Sequence, residues 1–170
     1  LAPSETAREI VRKPWVAGRF VYANQIIGRD VPALEVKSEL PVLSKNGFLA
    51  THPFIPENLR KPESKWERLE AGRLISIAAC SSCHSLTDTG IRPIAKYFPA
   101  EADAAGIKDW LSAGLYRGHI VYMPPLPLPE LDRDVMSEFL AEIIAVQKTD
   151  PQRAANYAVK GFPKDSVGGK

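Results

Sequence analysis

Five consecutive residues, Cys80 to His84, constrain this chain more than any other part of its sequence. They read Cys-Ser-Ser-Cys-His, a spacing typical of covalent haem c attachment. The two thiols can add to the two vinyl groups of one porphyrin, and the histidine that follows is held beneath the iron as an axial ligand. Cys80 and Cys83 are the only cysteines, so none is left over for a further disulfide. The motif predicts one covalent haem c bound by Cys80, Cys83 and His84.

Two other kinds of cysteine chemistry stay open at this motif. A zinc site would need two further soft ligands near the pair, and the other histidines, His52 and His119, are not in a finger-like spacing. A thioredoxin-type redox pair would need a strand before it and would leave His84 without a ligand role.

Composition narrows the class of protein. A chain of 170 residues with 45% hydrophobic content corresponds to one domain, or to one domain with substantial arms. The formal net charge is +2, and no basic stripe with interleaved aromatic residues is present, so nucleic acid is not an expected partner. No run of 18 or more apolar residues occurs, so no transmembrane segment is expected.

No signal peptide is visible at Leu1, although haem c is normally attached outside the cytoplasm. We therefore expect a mature chain or a fragment, in the periplasm or an equivalent compartment.

Residues 1–62 are predicted to form a proline-rich arm. They hold seven of the fifteen prolines, and residues 32–62 are expected to be extended, with a tight turn at Asn46-Gly47. The arm is too apolar for a solvated linker. It either wraps its own domain or docks a partner.

One piece of the arm carries a resemblance. Residues 9–16 read Glu-x-x-Arg-Lys-Pro-Trp-Val, which resembles the E-x-G-R-Q-P-W-V segment in the large subunit of cytochrome bd-type quinol oxidases. Val11 and Lys13 depart from that pattern, and none of the haem b ligands of that family can be placed here. In that family the segment follows a membrane helix at its outer end. The resemblance implies the periplasmic tail of a bd-like membrane subunit.

The rest of the chain predicts an all-α fold. A capping box at Ser64-x-x-Glu67 begins a helix that runs to the first cysteine. Apolar residues at helical spacing predict a second helix over residues 103–116 and a third over residues 130–146. From residue 148 the sequence is polar, and we expect a tail over residues 148–170 that is mobile or wrapped on a partner.

These elements resemble class I cytochromes c. Gly72 stands eight positions before Cys80, where that family has a small residue that lets the last helix cross closely, although Ser76 replaces a common aromatic residue. Met123 is followed by Pro124 and lies 39 residues after His84 (123 − 84). The resemblance implies a haem domain over residues 63–147 in which Met123 is the second axial ligand of the iron. His119 is the rival ligand, and Met136 is expected to pack in a helix.

Two further residues are candidates for supporting roles. The same resemblance implies that the backbone carbonyl of Pro93 accepts the ring N–H of His84, which fixes the imidazole tautomer; the alternative is that Pro93 is an ordinary loop proline. Trp110 is interpreted either as a core residue or as an indole donor to a haem propionate.

The expected function is one-electron transfer by haem c with His84 and Met123 as axial ligands. Because both axial positions would be filled, we expect no small-molecule substrate and no enzyme activity in this chain alone. The expected partners are redox proteins, as in a membrane-associated respiratory complex. The alternatives are a haem-based sensor or peroxidase-like protein with an exchangeable axial position, and a structural subunit of a larger complex.

Overall fold

The protein is built mainly of helices. The structure, a computed structural model, describes residues 40–81, 83–99, 101–118, 120–123 and 125–167. The helices are α1 (Leu40–Thr51), α2 (Lys65–Cys80), α3 (Ala104–Ala113), α4 (Glu130–Thr149), α5 (Pro151–Lys160) and α6 (Lys164–Val167), with 3-10 turns at Glu57–Leu59 and Ile94–Lys96. Strands β1 (Leu115–Arg117) and β2 (Ile120–Met123) form one antiparallel hairpin. The predicted all-α class is confirmed.

Helices α2 and α4 form the centre of the core and cross closely at Gly72. A Cβ atom at Gly72 would collide with the carbonyl oxygen of Val135 and would lie 2.8 Å from the Cβ of Phe139. The predicted capping box begins α2, because the Ser64 hydroxyl accepts from the Glu67 N–H at 3.2 Å. Two rows of apolar residues at helical spacing run along α4, and only Leu131 among them is exposed, at 40%. The buried members of these apolar rows are Val135, Met136, Phe139, Leu140, Ile143 and Ile144.

Helix α1 and the 3-10 turn at Glu57–Leu59 correct the extended backbone expected over residues 32–62. Residues 32–39 and the bd-like segment lie outside the described residues. The Asn46-Gly47 pair does mark a break, since Gly47 has a φ of 78° inside α1. The Asp132 carboxylate on α4 accepts a hydrogen bond from the Phe48 N–H at 2.6 Å, so it caps the last turn of α1 from a distant part of the chain. Leu49 in this turn and Ile55 after it are buried in the common core.

Replacing Asp132 tests how much its hydrogen bonds to α1 contribute to stability. Asp132 is 2% exposed, and burial raises the pKa of its carboxyl above 3.8, against the lowering effect of the Phe48 and Leu49 N–H groups. Asp132→Ala should lower the free energy of unfolding by about 1–3 kcal/mol, because two buried donors lose their acceptor.

The pH dependence of Asp132 follows from the raised pKa. Between the ordinary and the raised value the folded state binds more protons than the unfolded state, so the contribution of Asp132 to stability falls as pH rises through that window. Denaturant unfolding of wild type and Asp132→Asn across this range should show the wild type losing stability relative to the variant. A difference that is flat, or that grows with pH, would contradict the assignment.

The C-terminal segment is helical and packed, not the polar, mobile tail expected from residue 148. Ala154 and Ala158 on α5 are buried, as is Phe162 after it. The Arg73 guanidinium on α2 donates to the carbonyl of Val159 at 3.0 Å, at the C-terminal end of α5, where a cation is favourable. The Trp66 indole donates to the Phe162 carbonyl at 2.8 Å. Sequence reasoning missed this packing because Ala154 and Ala158 give a weak apolar pattern and the hydrogen-bond partners, Arg73 and Trp66, lie far along the chain.

The hairpin corrects the second predicted helix, which was expected to reach Tyr116. Helix α3 ends at Ala113 because Gly114 adopts a φ of 71°, which turns the chain into β1. Strand β2 then pairs Met123 with Leu115.

Within the described residues, no helix has the length and apolar character needed to cross a membrane.

Candidate functional site

The two cysteines lie on one turn at the end of helix α2. Cys80 is the last helical residue and is 8% exposed, whereas Cys83 is exposed. The N–H groups of Cys83 and His84 both donate to the carbonyl of Cys80, at 3.0 and 2.9 Å. These two hydrogen bonds hold the motif in a tight turn, with Cys80 at the end of α2 and Cys83 and His84 directly after that turn.

The environment of Cys80 disfavours dithiol redox chemistry. Burial, together with the neighbouring Cys83, raises the pKa of the Cys80 thiol to about 12, so it stays protonated at neutral pH and is a poor nucleophile for disulfide exchange. A helix, not a strand, precedes the motif. Within the part of the chain that the structure describes, no three His, Cys, Asp or Glu side chains are grouped to hold a metal ion, so the zinc alternative gains no support there.

The imidazole of His84 is oriented by a backbone carbonyl. Its Nδ1 lies 2.8 Å from the carbonyl oxygen of Arg92. A carbonyl oxygen only accepts, so Nδ1 carries the proton, and in the neutral ring Nε2 is left with its lone pair available for a metal. The ring of Tyr97 packs edge-on against His84, with centroids 5.8 Å apart.

The accepting carbonyl belongs to Arg92, which corrects the role predicted for Pro93. The carbonyl of Pro93 accepts instead from the Lys96 N–H at 3.1 Å, inside the 3-10 turn that follows. Arg92 has a φ of 42°, a backbone conformation that costs a non-glycine residue about 1–3 kcal/mol. Proline normally biases the residue before it toward extended backbone, and Arg92 keeps its positive φ although Pro93 follows it.

Met123 ends strand β2 and is partly buried against the core. It lies beside α3, because a Cβ atom at Gly114 would come within 2.7 Å of the Met123 carbonyl. Met136, by contrast, is 0% exposed inside α4, which agrees with its predicted packing role. The rival ligand His119 and the proline after Met123 lie outside the described residues.

Trp110 is not the core residue that one interpretation expected. It is 45% exposed on α3 and packs edge-on against Phe98, with centroids 5.7 Å apart. Phe98 follows Tyr97, which contacts His84. Leu115 follows α3 and pairs with Met123. Exposed large apolar side chains in this part of the chain are Ile91, Tyr97, Trp110, Leu115 and Tyr116.

Sequence reasoning missed two residues that support the motif, Arg92 and Gln147. The Gln147 side chain on α4 accepts a hydrogen bond from the Asp88 N–H at 3.3 Å, within the loop that presents Arg92. The Arg-Pro dipeptide was a signal that could have identified Arg92. No local sequence pattern identifies Gln147, because its hydrogen-bond partner Asp88 lies 59 residues away in the chain.

Comparisons of this chain with protein-family models, with curated proteins and with solved structures gave no match.

Proposed function

We propose that this chain is a class I cytochrome c domain that transfers single electrons through one covalently bound haem c. Cys80 and Cys83 would form the two thioether bonds, and His84 and Met123 would be the axial ligands. When bound, the haem supplies a one-electron Fe(III)/Fe(II) couple. The proposal rests above all on the His84 Nδ1–H bond to the Arg92 carbonyl at 2.8 Å, which prepares Nε2 as a ligand directly after the two thiols.

Exposed apolar side chains beside the two proposed axial ligands also support the proposal. Tyr97, which packs against His84, and Leu115, which pairs with Met123, are both exposed, so they are available to pack against a bound porphyrin. The half-exposed indole of Trp110 is suited to donate to a propionate at the edge of such a ring.

The close crossing of α2 and α4 at Gly72 also supports the proposed fold. The resemblance in the sequence implied this contact, since a small residue eight positions before the first cysteine lets the last helix approach. In this chain the backbone of Val135 occupies the space that a side chain at Gly72 would need.

Two axial ligands from the protein leave no position for a substrate, so electron transfer is favoured over peroxidase or sensor chemistry. A thioether ligand favours Fe(II) and raises the reduction potential relative to two histidines. The bd-like segment over residues 9–16 and the extracytoplasmic chemistry of haem attachment favour a periplasmic location. We infer redox protein partners there, in a membrane oxidoreductase complex to which this chain also contributes structurally.

Covalent attachment is the first test. Protein produced together with a haem c attachment system should keep its haem through denaturing electrophoresis and acid–acetone extraction. The double variant Cys80→Ala, Cys83→Ala should lose all of it. A matched control is Ser81→Ala, which alters the same exposed turn but keeps both thiols and the helix C-cap position. Haem that is extracted from the wild type, or zinc in the purified chain, would refute the proposal.

A further inference from the structure

We propose that Gln147 is a positioning residue that sets the hydrogen bond between His84 and Arg92, and through it the reduction potential. The inference rests on the proposed function, because it assigns a role toward the His84 ligand of haem c. The hydrogen bond given for Gln147 goes to Asp88, so it would act through the loop that carries Arg92.

The loop from Ser85 to Ile94 is closed at its base by backbone hydrogen bonds. The Ser85 N–H donates to the carbonyl of Ile91 at 2.8 Å, and the Ile94 N–H donates to the carbonyl of Ser85 at 2.9 Å. Between these points the chain turns through Gly90, with a φ of 97°, and then through Arg92. The orientation of the Arg92 carbonyl therefore depends on how the whole loop is held.

Gln147 holds the middle of this loop. Its Oε1 accepts from the Asp88 N–H, and it belongs to the last turn of α4, so the contact joins the loop to the central helix of the core. Leu86 is buried on the same loop, but an apolar contact of this kind does not fix a backbone orientation, whereas a hydrogen bond to the peptide N–H does.

Burial of Gln147 argues that its amide is there for this contact. The residue is 5% exposed, and its Nε2 is buried with no hydrogen-bond partner among the described residues. An unpaired buried donor is unfavourable, so an apolar side chain of similar length would suit packing at this position better. The unpaired Nε2 therefore lowers stability, whereas Oε1 positions the loop through the Asp88 N–H.

The experiment compares Gln147→Met with wild type and with Thr149→Val. Methionine matches glutamine in length but offers no comparable acceptor. Thr149 lies on the same helix turn and is exposed, and its hydroxyl donates only to the Val146 carbonyl. In Gln147→Met, exchange of the Asp88 amide should rise about fivefold, the factor for one ordinary hydrogen bond. The NMR signal of the His84 Nδ1–H should shift or broaden.

The reduction potential should also respond. A weaker hydrogen bond at Nδ1 makes the imidazole a poorer donor to Fe(III), so the ratio of Fe(II) to Fe(III) at a given potential should rise about threefold. This is less than the 10–100-fold loss of metal affinity or activity typical of removing a direct partner of a ligand. Thermal stability should stay near the wild-type value because the unpaired Nε2 disappears as well. Gln147→Glu, which keeps an acceptor oxygen, should restore slow exchange at Asp88, and Thr149→Val should change nothing.

A purely structural role for Gln147 would lower the unfolding temperature and leave the His84 signal and the potential at the values of Thr149→Val. That result would overturn the inference. If Gln147→Met does not fold, Gln147→Asn gives the same comparison, because it keeps the amide but draws it back by one methylene. If the wild type holds no covalent haem, the proposed function fails, and the His84 Nδ1–H signal of the haem-free protein still decides the role of Gln147.

Discussion

Replacing Met123 by alanine is expected to remove the methionine-to-iron absorption band and to lower the reduction potential on the order of 0.2 V. The physical reason is the loss of a soft, neutral ligand that favours Fe(II); axial ligands together cover a range of roughly 0.8 V. The variant should also bind cyanide or carbon monoxide, since one axial position becomes exchangeable. Absorption spectra and a redox titration of purified protein measure all three effects.

Two further variants show whether the sulfur, and not the packing, of Met123 is responsible. Met123→Leu keeps most of the side-chain volume that packs against the core and should lose the band as completely as alanine does. Met136→Leu replaces the other methionine, which is fully buried in α4, and should cost less than about 1.5 kcal/mol with no spectral change. An intact spectrum in Met123→Ala with a disrupted one in His119→Ala would instead indicate two histidine ligands.

Removing residues 1–60 is expected to unfold the domain, whereas removing residues 1–39 is expected to leave it folded. The longer deletion takes away Leu49, Ile55 and Leu59, which are each no more than 3% exposed. Each such side chain contributes at most about 1.5–3 kcal/mol, so the loss is roughly 5–9 kcal/mol against a typical total of about 5–15 kcal/mol. It also leaves the buried Asp132 carboxylate without the Phe48 N–H.

Thermal unfolding of the two truncated proteins provides the measurement. A chain that begins at residue 40 retains every contact described for α1, and it should keep the unfolding temperature of the full protein. If it does, pull-down of a membrane complex by the full chain and not by this truncation would support a docking role for residues 1–39. A stable, haem-containing chain that begins at residue 61 would show that α1 adds little to the core.

Local signals in the sequence predicted the central helices well. The Ser64-x-x-Glu67 box and the apolar rows of α4 are short-range patterns, and α2 and α4 follow them. The Cys-x-x-Cys-His motif is also a local pattern. Gly72 is a local signal too, and the resemblance implied that the last helix crosses α2 at this residue. The contacts of α1 and α5 were not predictable in this way, because they depend on partners far along the chain, such as Asp132 with Phe48 and Arg73 with Val159.

The errors at the site have the same origin. The resemblance assigned the acceptor to Pro93, but the acceptor is the carbonyl of Arg92, the residue before it. A motif places the proline, whereas the orientation of each neighbouring carbonyl is set by backbone angles that the motif does not specify. The core interpretation of Trp110 depends on its place in the same predicted helix as Ile107 and Leu111. Those two residues are buried, whereas Trp110 is 45% exposed.

The unequal burial of the two thiols has a consequence for the timing of assembly. Cys80 is 8% exposed and keeps its proton in the folded protein, so a reagent reaches its sulfur only while the surrounding chain is open. Cys83, three positions later, stays at the surface after folding. Under the proposed function, we therefore expect the thioether bond at Cys80 to form before the core closes around this thiol.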